Sequence, residues 1–466
     1  MTQEPTLQDS TDQDPTIFAL SSAPGRAGVA VIRISGNQCR TVMDTVCGAE
    51  LEPRVARLCE LRDPDTGDAV DKALCLWFPG PHSFTGEDSL ELHCHGSRAV
   101  IARLIDTLSG LDNCRLAEPG EFSRRAFENG KIDLTAAEGL EDLINAETEE
   151  QRRQALGQAQ GRLGNLYESW RSQLISALAL MEAGLDFSDE EDVPAAVLAE
   201  ALPLVEDLRD QLQRHLADAH KGEILREGFR VVLAGPPNAG KSSLLNALAR
   251  RDVAIVSDEA GTTRDVLEVI LDLKGVPVIL TDTAGIRETC APVEQEGIRR
   301  ARDRVRQADL VLWLMDISDR DQPDPPDPAS DSEFGPEFGR DNILHLHTKT
   351  DLVSPAQAKD RIDSIPGSLG LSVKSGDGLD ALIEIMADRA FMAIDRGEEP
   401  LITRQRHRDR IVQSHEALGR FVDCDKADPE LRAEDLRTAA QALGRITGRV
   451  DVEDILDRIF SSFCIG

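Results

Sequence analysis

The chain has 466 residues, 41% hydrophobic but only 4% aromatic, with a formal charge of -32 at pH 7. That length asks for two or three domains with aliphatic cores. So acidic a chain is excluded as a non-specific polyanion binder, and RNA would have to meet a local basic patch.

Nine scattered cysteines with no CxxC pair and no secretory signal predict reduced thiols in a cytoplasm. No apolar run is long enough to span a bilayer. Residues 1–15 are polar and acidic and read as a disordered tail.

From Ile17 to about Phe127 the pattern is β-rich, with strands at Ile17–Leu20, Val29–Ile34, Ala73–Phe78 and Ser89–His93 and a helix at Ser97–Leu108. From about Lys131 to Lys221 apolar residues recur at threes and fours. Leu174, Leu178, Met181 and Leu185 mark one helix, and Leu204, Val205, Leu208 and Leu212 another. The acidic stretch Asp186–Asp192, with Pro194 after it, separates them. From Phe229 to about Ile385 strands and helices alternate. The strands are Arg230–Ala234, Val266–Leu273, Val276–Thr281, Ala308–Asp316 and Ile343–Thr348, the last two nearly continuous apolar runs, as buried parallel strands are. The Asp/Pro/Gly-rich segment Asp319–Arg340 reads as a solvated loop. Beyond Phe391 the chain is helical again, with Leu436, Ala439, Ala440, Leu443, Ile455 and Ile459 facing a core. The expected fold class is an α/β P-loop G domain (227–390) inserted in an all-α helical domain (130–226 plus 391–466). An α+β domain (16–129) precedes it.

Gly235-Pro-Pro-Asn-Ala-Gly-Lys-Ser242 is a full GxxxxGKS between a strand and a helix. Its glycines let backbone amides face phosphates, with Asn238, Ala239, Gly240 and Ser243 in the same cradle. Lys241 supplies charge to the β- and γ-phosphates, and the Ser242 hydroxyl is offered to Mg²⁺. Asp282-Thr283-Ala284-Gly285 follows a strand and predicts the second phosphate-sensing motif. In the Gly261–Asp265 segment between them, Thr263 is the expected second hydroxyl on Mg²⁺. Thr348-Lys349-Thr350-Asp351 stands where GTPases carry NKxD. Asp351 keeps the acceptor for guanine, and Thr348 replaces the usual Asn, which predicts weaker nucleotide affinity. Ser372-Val373-Lys374 is similar to the SAK loop behind the base. After DTAG stands Ile286 rather than a water-orienting Gln. Another group must therefore orient water, and Asn238 (as a monovalent-cation ligand) and Glu294 are the candidates.

Four segments carry a family resemblance: Ile17–Gly36, Thr85–Ser97, Pro119–Ile144 and the tail Phe460–Gly466 (FSSFCIG). They and the G motifs closely resemble the MnmE (TrmE) family of tRNA-modifying GTPases, over almost the whole chain after residue 15. The resemblance implies a homodimer with an N-terminal folate-binding and dimerisation domain. It implies GTP, Mg²⁺ and K⁺ as cofactors, with Asn238, Ser257, Glu259 and Thr262 around potassium, Ser257 and Thr262 also at the nucleotide, and Glu294 as the catalytic glutamate. Arg33, Glu91 and Lys131 match positions that bind 5-formyltetrahydrofolate, whose carboxylates and pterin edge suit those charges. An MnmG-like flavoprotein carrying FAD is the implied partner, in a heterotetramer. Together they are implied to place a carboxymethylaminomethyl or aminomethyl group on C5 of the wobble uridine of certain tRNAs. Family tails usually read CIGK, and this sequence ends at Gly466, so a terminal lysine contact to folate is expected to be missing. Cys464 is retained as a tail thiol.

The remaining signals are weaker. His93-Cys94-His95 lacks a second cluster and reads as strand residues rather than zinc ligands. Arg404, Arg406, Arg408 and Arg410 offer a tRNA contact in an otherwise acidic chain, and Arg299–Arg306 a basic helix face. Two rival readings are a ribosome-assembly switch, which would want an RNA-binding KH unit, and a folate enzyme whose G domain only regulates.

Overall fold

A computed structural model describes residues 14–186, 193–251, 253–255, 268–282, 305–319, 342–394, 400–423, 429–450, 453–461 and 463. The chain folds into two compact units.

The first unit holds residues 1–141, 167–169 and 443–466. Its six strands are β1 (Thr16–Leu20), β2 (Ala27–Ser35), β3 (Arg57–Arg62), β4 (Ala69–Phe78), β5 (Ser89–Gly96) and β6 (Cys114–Leu116), in the order β3-β4-β5-β2-β1-β6. Only the β1–β6 pair is parallel. The alternation of β2 and β5 sends Ile32, Ile34, Leu90 and Leu92 to one face, where Leu104 and Leu108 of a helix at Arg98–Ser109 close the core. Ser97 caps that helix by accepting from Val100 N. On the other face at β1, Ile17 and Ala19 meet Ala117 and Phe122. The helix Glu121–Glu128 begins at Gly120, φ 69°, where an added Cβ would lie 2.3 Å from the Phe460 carbonyl oxygen. The strand Arg57–Arg62 carries no clean alternation in sequence, which is why pattern reading missed it.

The second unit spans 142–166 and 170–442. Its seven strands are β7 (Phe229–Ala234), β8 (Ala254–Ile255), β9 (Glu268–Leu273), β10 (Val276–Asp282), β11 (Leu310–Asp316), β12 (Ile343–Thr348) and β13 (Leu369–Gly370), ordered β13-β12-β11-β7-β10-β9-β8. From β13 to β10 all pairings are parallel, and β9 and β8 close the edge antiparallel. This is the α/β sheet expected of 227–390. The helix Leu379–Ile394 runs through residue 390 and packs Leu382, Met386, Ala390 and Ile394 into the sheet's core.

Around the sheet's insertion point the same unit is helical. Glu149–Ala159, Val193–Ala217, Ala219–Glu227 and Gln405–Asp423 are helices of this unit, as are most of Arg162–Asp186 and residues 429–442 of Pro429–Thr447. Leu174 and Met181 are buried as the spacing predicts, as are Val205, Leu208 and Leu212, but Leu204 faces solvent at 48% exposure. Asp142 Oδ1 accepts from Arg226 Nε at 3.2 Å and from Arg404 Nη2 at 2.9 Å. One carboxylate thus holds the segments on both sides of the inserted sheet, so Arg404 is engaged internally. Arg408 likewise faces Glu223 at 3.6 Å, and Arg410 donates to Gln413 at 3.0 Å. The arginine run is therefore a poorer free basic patch than its sequence suggests. No helix among the described residues is long and apolar enough to cross a membrane.

Candidate functional site

The phosphate-loop motif sits at the carboxyl end of β7, with β11 on one side and β10 on the other. That is where open α/β sheets bind ligands. Gly235 leaves the strand at φ 130°, and a Cβ there would lie 2.3 Å from the Leu314 carbonyl oxygen, so neighbouring β11 demands glycine. Asn238 (φ 65°) and Gly240 (φ 98°) turn the loop into the helix Lys241–Leu248, whose first amides face outward. Lys241 Nζ lies over the loop and donates to the Gly235 and Pro236 carbonyls at 2.9 Å each. Ser242 Oγ donates to Asp282 Oδ2 at 2.7 Å, Asp282 being the last residue of β10 and 1% exposed. A hydroxyl and a carboxylate so juxtaposed are hard oxygen donors of the kind Mg²⁺ takes.

The predicted base-reading loop meets this cradle from behind. Thr348 is 2% exposed, and its hydroxyl lies 2.7 Å from the Ala239 carbonyl and 3.1 Å from that of Met315. The Thr348 hydroxyl thus ties the phosphate loop to the end of β12. Ser372 Oγ donates to Asp351 Oδ1 at 2.6 Å, which fixes the carboxylate, and Ser375 N donates back to Ser372 Oγ at 3.2 Å. Val373 packs against the sheet's core, and Lys374 lies beside it in the same turn. Hydrogen bonds thus join Lys241 to Gly235 and Pro236, Ser242 to Asp282, Thr348 to Ala239 and Lys349 to Asn238, while Asp351 is held by Ser372 in the neighbouring turn. Ser257, Glu259, Thr262, Thr263, Thr283, Ala284, Gly285, Glu294 and Cys464 lie outside the described residues. Sequence reasoning missed Asp316, which accepts from Lys349 Nζ at 2.6 Å. The only hint was an acid ending a buried strand.

A second polar cluster lies in the first unit. Arg33 donates to Glu91 Oε1 through Nε at 3.2 Å and Nη2 at 3.1 Å, the two residues being register partners on β2 and β5. Glu91 Oε2 is 3.1 Å from His93 Nε2, and the Phe84 and Phe122 rings flank the guanidinium at 5.5 and 5.8 Å. Lys131 Nζ donates to the Pro81 carbonyl at 2.7 Å, and its stem lines Gly86. The resembling segments build this loop. Buried Arg125 donates to Glu87 at 3.1 Å, Ser35 Oγ to Glu87 at 2.6 Å, and Asn129 Nδ2 to the Thr85 carbonyl at 2.8 Å. Cys94 points into the core while His93 and His95 pair with Glu91 and Asp71 on the other face, so the three are not one ligand set.

Two family models match, one described as the GTP-binding protein TrmE N-terminus over residues 16–131 and one as the MnmE helical domain over 134–464. A tRNA modification GTPase MnmE from Parvibaculum lavamentivorans is 52% identical across 97% of this chain and 99% of its own. Another, from a Bradyrhizobium strain, is 51% identical over the same shares. Among solved structures, Aquifex aeolicus Era bound to GDP and aluminium fluoride overlaps 43% of this chain and 69% of its own, at 20% identity and a TM-score of 0.27.

Proposed function

That the chain belongs to the MnmE family of tRNA modification GTPases is the premise from which we propose its specific reaction. It hydrolyses GTP. In our reading potassium stimulates that step, and the protein works as a cytoplasmic homodimer with an MnmG-like flavoprotein carrying FAD. The pair modifies C5 of the wobble uridine of certain tRNAs, with a tetrahydrofolate giving the one-carbon unit.

Each candidate residue has a part in this reading, Glu294 by the family resemblance alone. Lys241 offsets phosphate charge, Ser242 and Asp282 would hold Mg²⁺, which would supply Lewis-acid polarisation of the phosphate oxygens, and Asp351 accepts the guanine N–H groups. Asn238 offers an amide oxygen of the chemistry potassium takes, and Glu294 positions water. On the amino-terminal sheet Glu91 would accept a pterin edge, and Arg33 and Lys131 would meet carboxylates. The outward face of that sheet supports the dimer: Leu58, Leu74 and Val29 are 68%, 40% and 57% exposed in the single chain.

The observation that supports the folate part of the reading is the Arg33–Glu91–His93 cluster, which sets a cation, a carboxylate and an imidazole side by side on β2 and β5. The test is the GTP hydrolysis rate in potassium against sodium, repeated with Asn238→Ala and Glu294→Ala. Sodium, or either substitution, slows turnover while nucleotide still binds. Equal rates in both salts would remove the potassium step.

A further inference from the structure

We propose that Asp316 is a positioning residue of the nucleotide site, holding Lys349 so that its ammonium fixes the Asn238 carbonyl and with it the turn of the phosphate loop. Asp316 ends β11, the strand beside the one that carries the loop. Both of its oxygens are engaged. Oδ2 accepts from Lys349 Nζ at 2.6 Å, and Oδ1 accepts from Ser318 N at 2.9 Å and Ser318 Oγ at 2.6 Å. Its side chain is 14% exposed. Burial alone would raise its carboxyl, but Lys349 and Ser318 hold it below the ordinary carboxylate range.

Lys349 uses a second hydrogen on the Asn238 carbonyl at 2.8 Å. The two residues at the ends of that bond both sit in the left-handed region, at φ 59° and φ 65°. Neither is glycine; Asn adopts this conformation more readily than most residues, but for Lys349 it is costly and persists only if its surroundings impose it. The contact between them is that imposition, and Asp316 orients it. With Thr348 bonded to the Ala239 carbonyl, two consecutive carbonyls of the phosphate loop are tied to the loop that bears Asp351. An ammonium with no fixed counter-charge would lose its geometry, and the amides that face phosphate would lose theirs with it.

The experiment uses the full chain, a fluorescent GDP analogue and Mg²⁺, and reads affinity and release rate for Asp316→Asn, Lys349→Met and the pair. Each single variant lowers affinity about tenfold and speeds release. The double variant is no worse than either single one, because all remove the same link. Asp316→Glu falls between wild type and Asp316→Asn. A second arm reads the potassium concentration for half-maximal GTP hydrolysis, which rises several-fold in Asp316→Asn. That arm rests on the potassium reading above. If wild type ignores potassium, the nucleotide parameters decide alone. Wild-type affinity and release in Asp316→Asn overturn the proposal, as do additive losses in the double variant or a lowered melting temperature with unchanged nucleotide parameters. Should Asp316→Asn not fold, Asp316→Glu decides: a several-fold loss of affinity with faster release sustains the proposal, and wild-type affinity and release overturn it.

Discussion

Ser242 Oγ donates to Asp282 Oδ2 at 2.7 Å, joining the first residues of the helix after β7 to the last residue of β10. The two motifs lie 40 residues apart and meet because β10 pairs with β7 in parallel, Asp282 beside Leu233. Removing either oxygen strips a donor from the expected metal. Ser242→Ala and Asp282→Asn each weaken Mg²⁺-dependent GTP binding roughly tenfold to a hundredfold, the worth of a charge-assisted contact. Nucleotide titrations with and without Mg²⁺ check this: wild-type and variant curves that coincide in Mg²⁺ would contradict the assignment.

Gly235→Ala forces a Cβ to within 2.3 Å of the Leu314 carbonyl oxygen, at a φ of 130° that L-residues rarely adopt. The variant loses roughly 2–4 kcal/mol or does not fold, as strain at a special backbone position predicts. Urea unfolding measures the loss, and a midpoint at the wild-type value would show that the close approach is not rigid.

How much of this was legible in the sequence differs by region. GxxxxGKS, the Asp282 end of DTAG and the Asp351 loop are local strings with fixed context, so the sequence names them without the fold, and the sheet then brings Ser242 to Asp282 and Thr348 to Ala239. The strand Arg57–Arg62 could not, because its outer face carries Leu58 beside Glu60 and the period-2 signal is lost. Asp316 was invisible for another reason. Its meaning lies in a 2.6 Å contact with a residue 33 positions away, and an acid at the end of a buried strand does not by itself show that partner. At Arg404–Arg410 the sequence shows the charges but not that Arg404 and Arg408 face the acids Asp142 and Glu223.

The amino-terminal cluster predicts selective loss. Arg33→Ala breaks two bonds to Glu91 and removes the guanidinium that stands against the Phe84 and Phe122 rings. Calorimetry with 5-formyltetrahydrofolate should show affinity down roughly tenfold or more, with GTP hydrolysis unchanged. Unaltered folate binding would move that site elsewhere.

Acid should destabilise the helical region. His215 is 4% exposed, packs edge-on to Trp170 at 5.2 Å, and burial, then the charge of His407, push its pKa from 6.5 down to about 4, against a smaller opposing pull from Asp218. The unfolded chain therefore binds the proton first. The stability contribution is full above about pH 6.5 and is lost as pH falls toward 4, by at most roughly 3 kcal/mol. Urea midpoints at pH 7 and pH 5 test it. His215→Gln should flatten the slope, and an unchanged slope would place the proton elsewhere.

The central claim is that GTP hydrolysis at the Lys241 loop serves a change in tRNA. It is tested most directly by digesting tRNA from cells deleted for this gene and supplied with either wild-type protein or Lys241→Ala, then quantifying C5-modified wobble uridine by mass spectrometry. The modified nucleoside should return with wild type and stay absent with Lys241→Ala. Full modification with the variant, or none with wild type, would contradict the account.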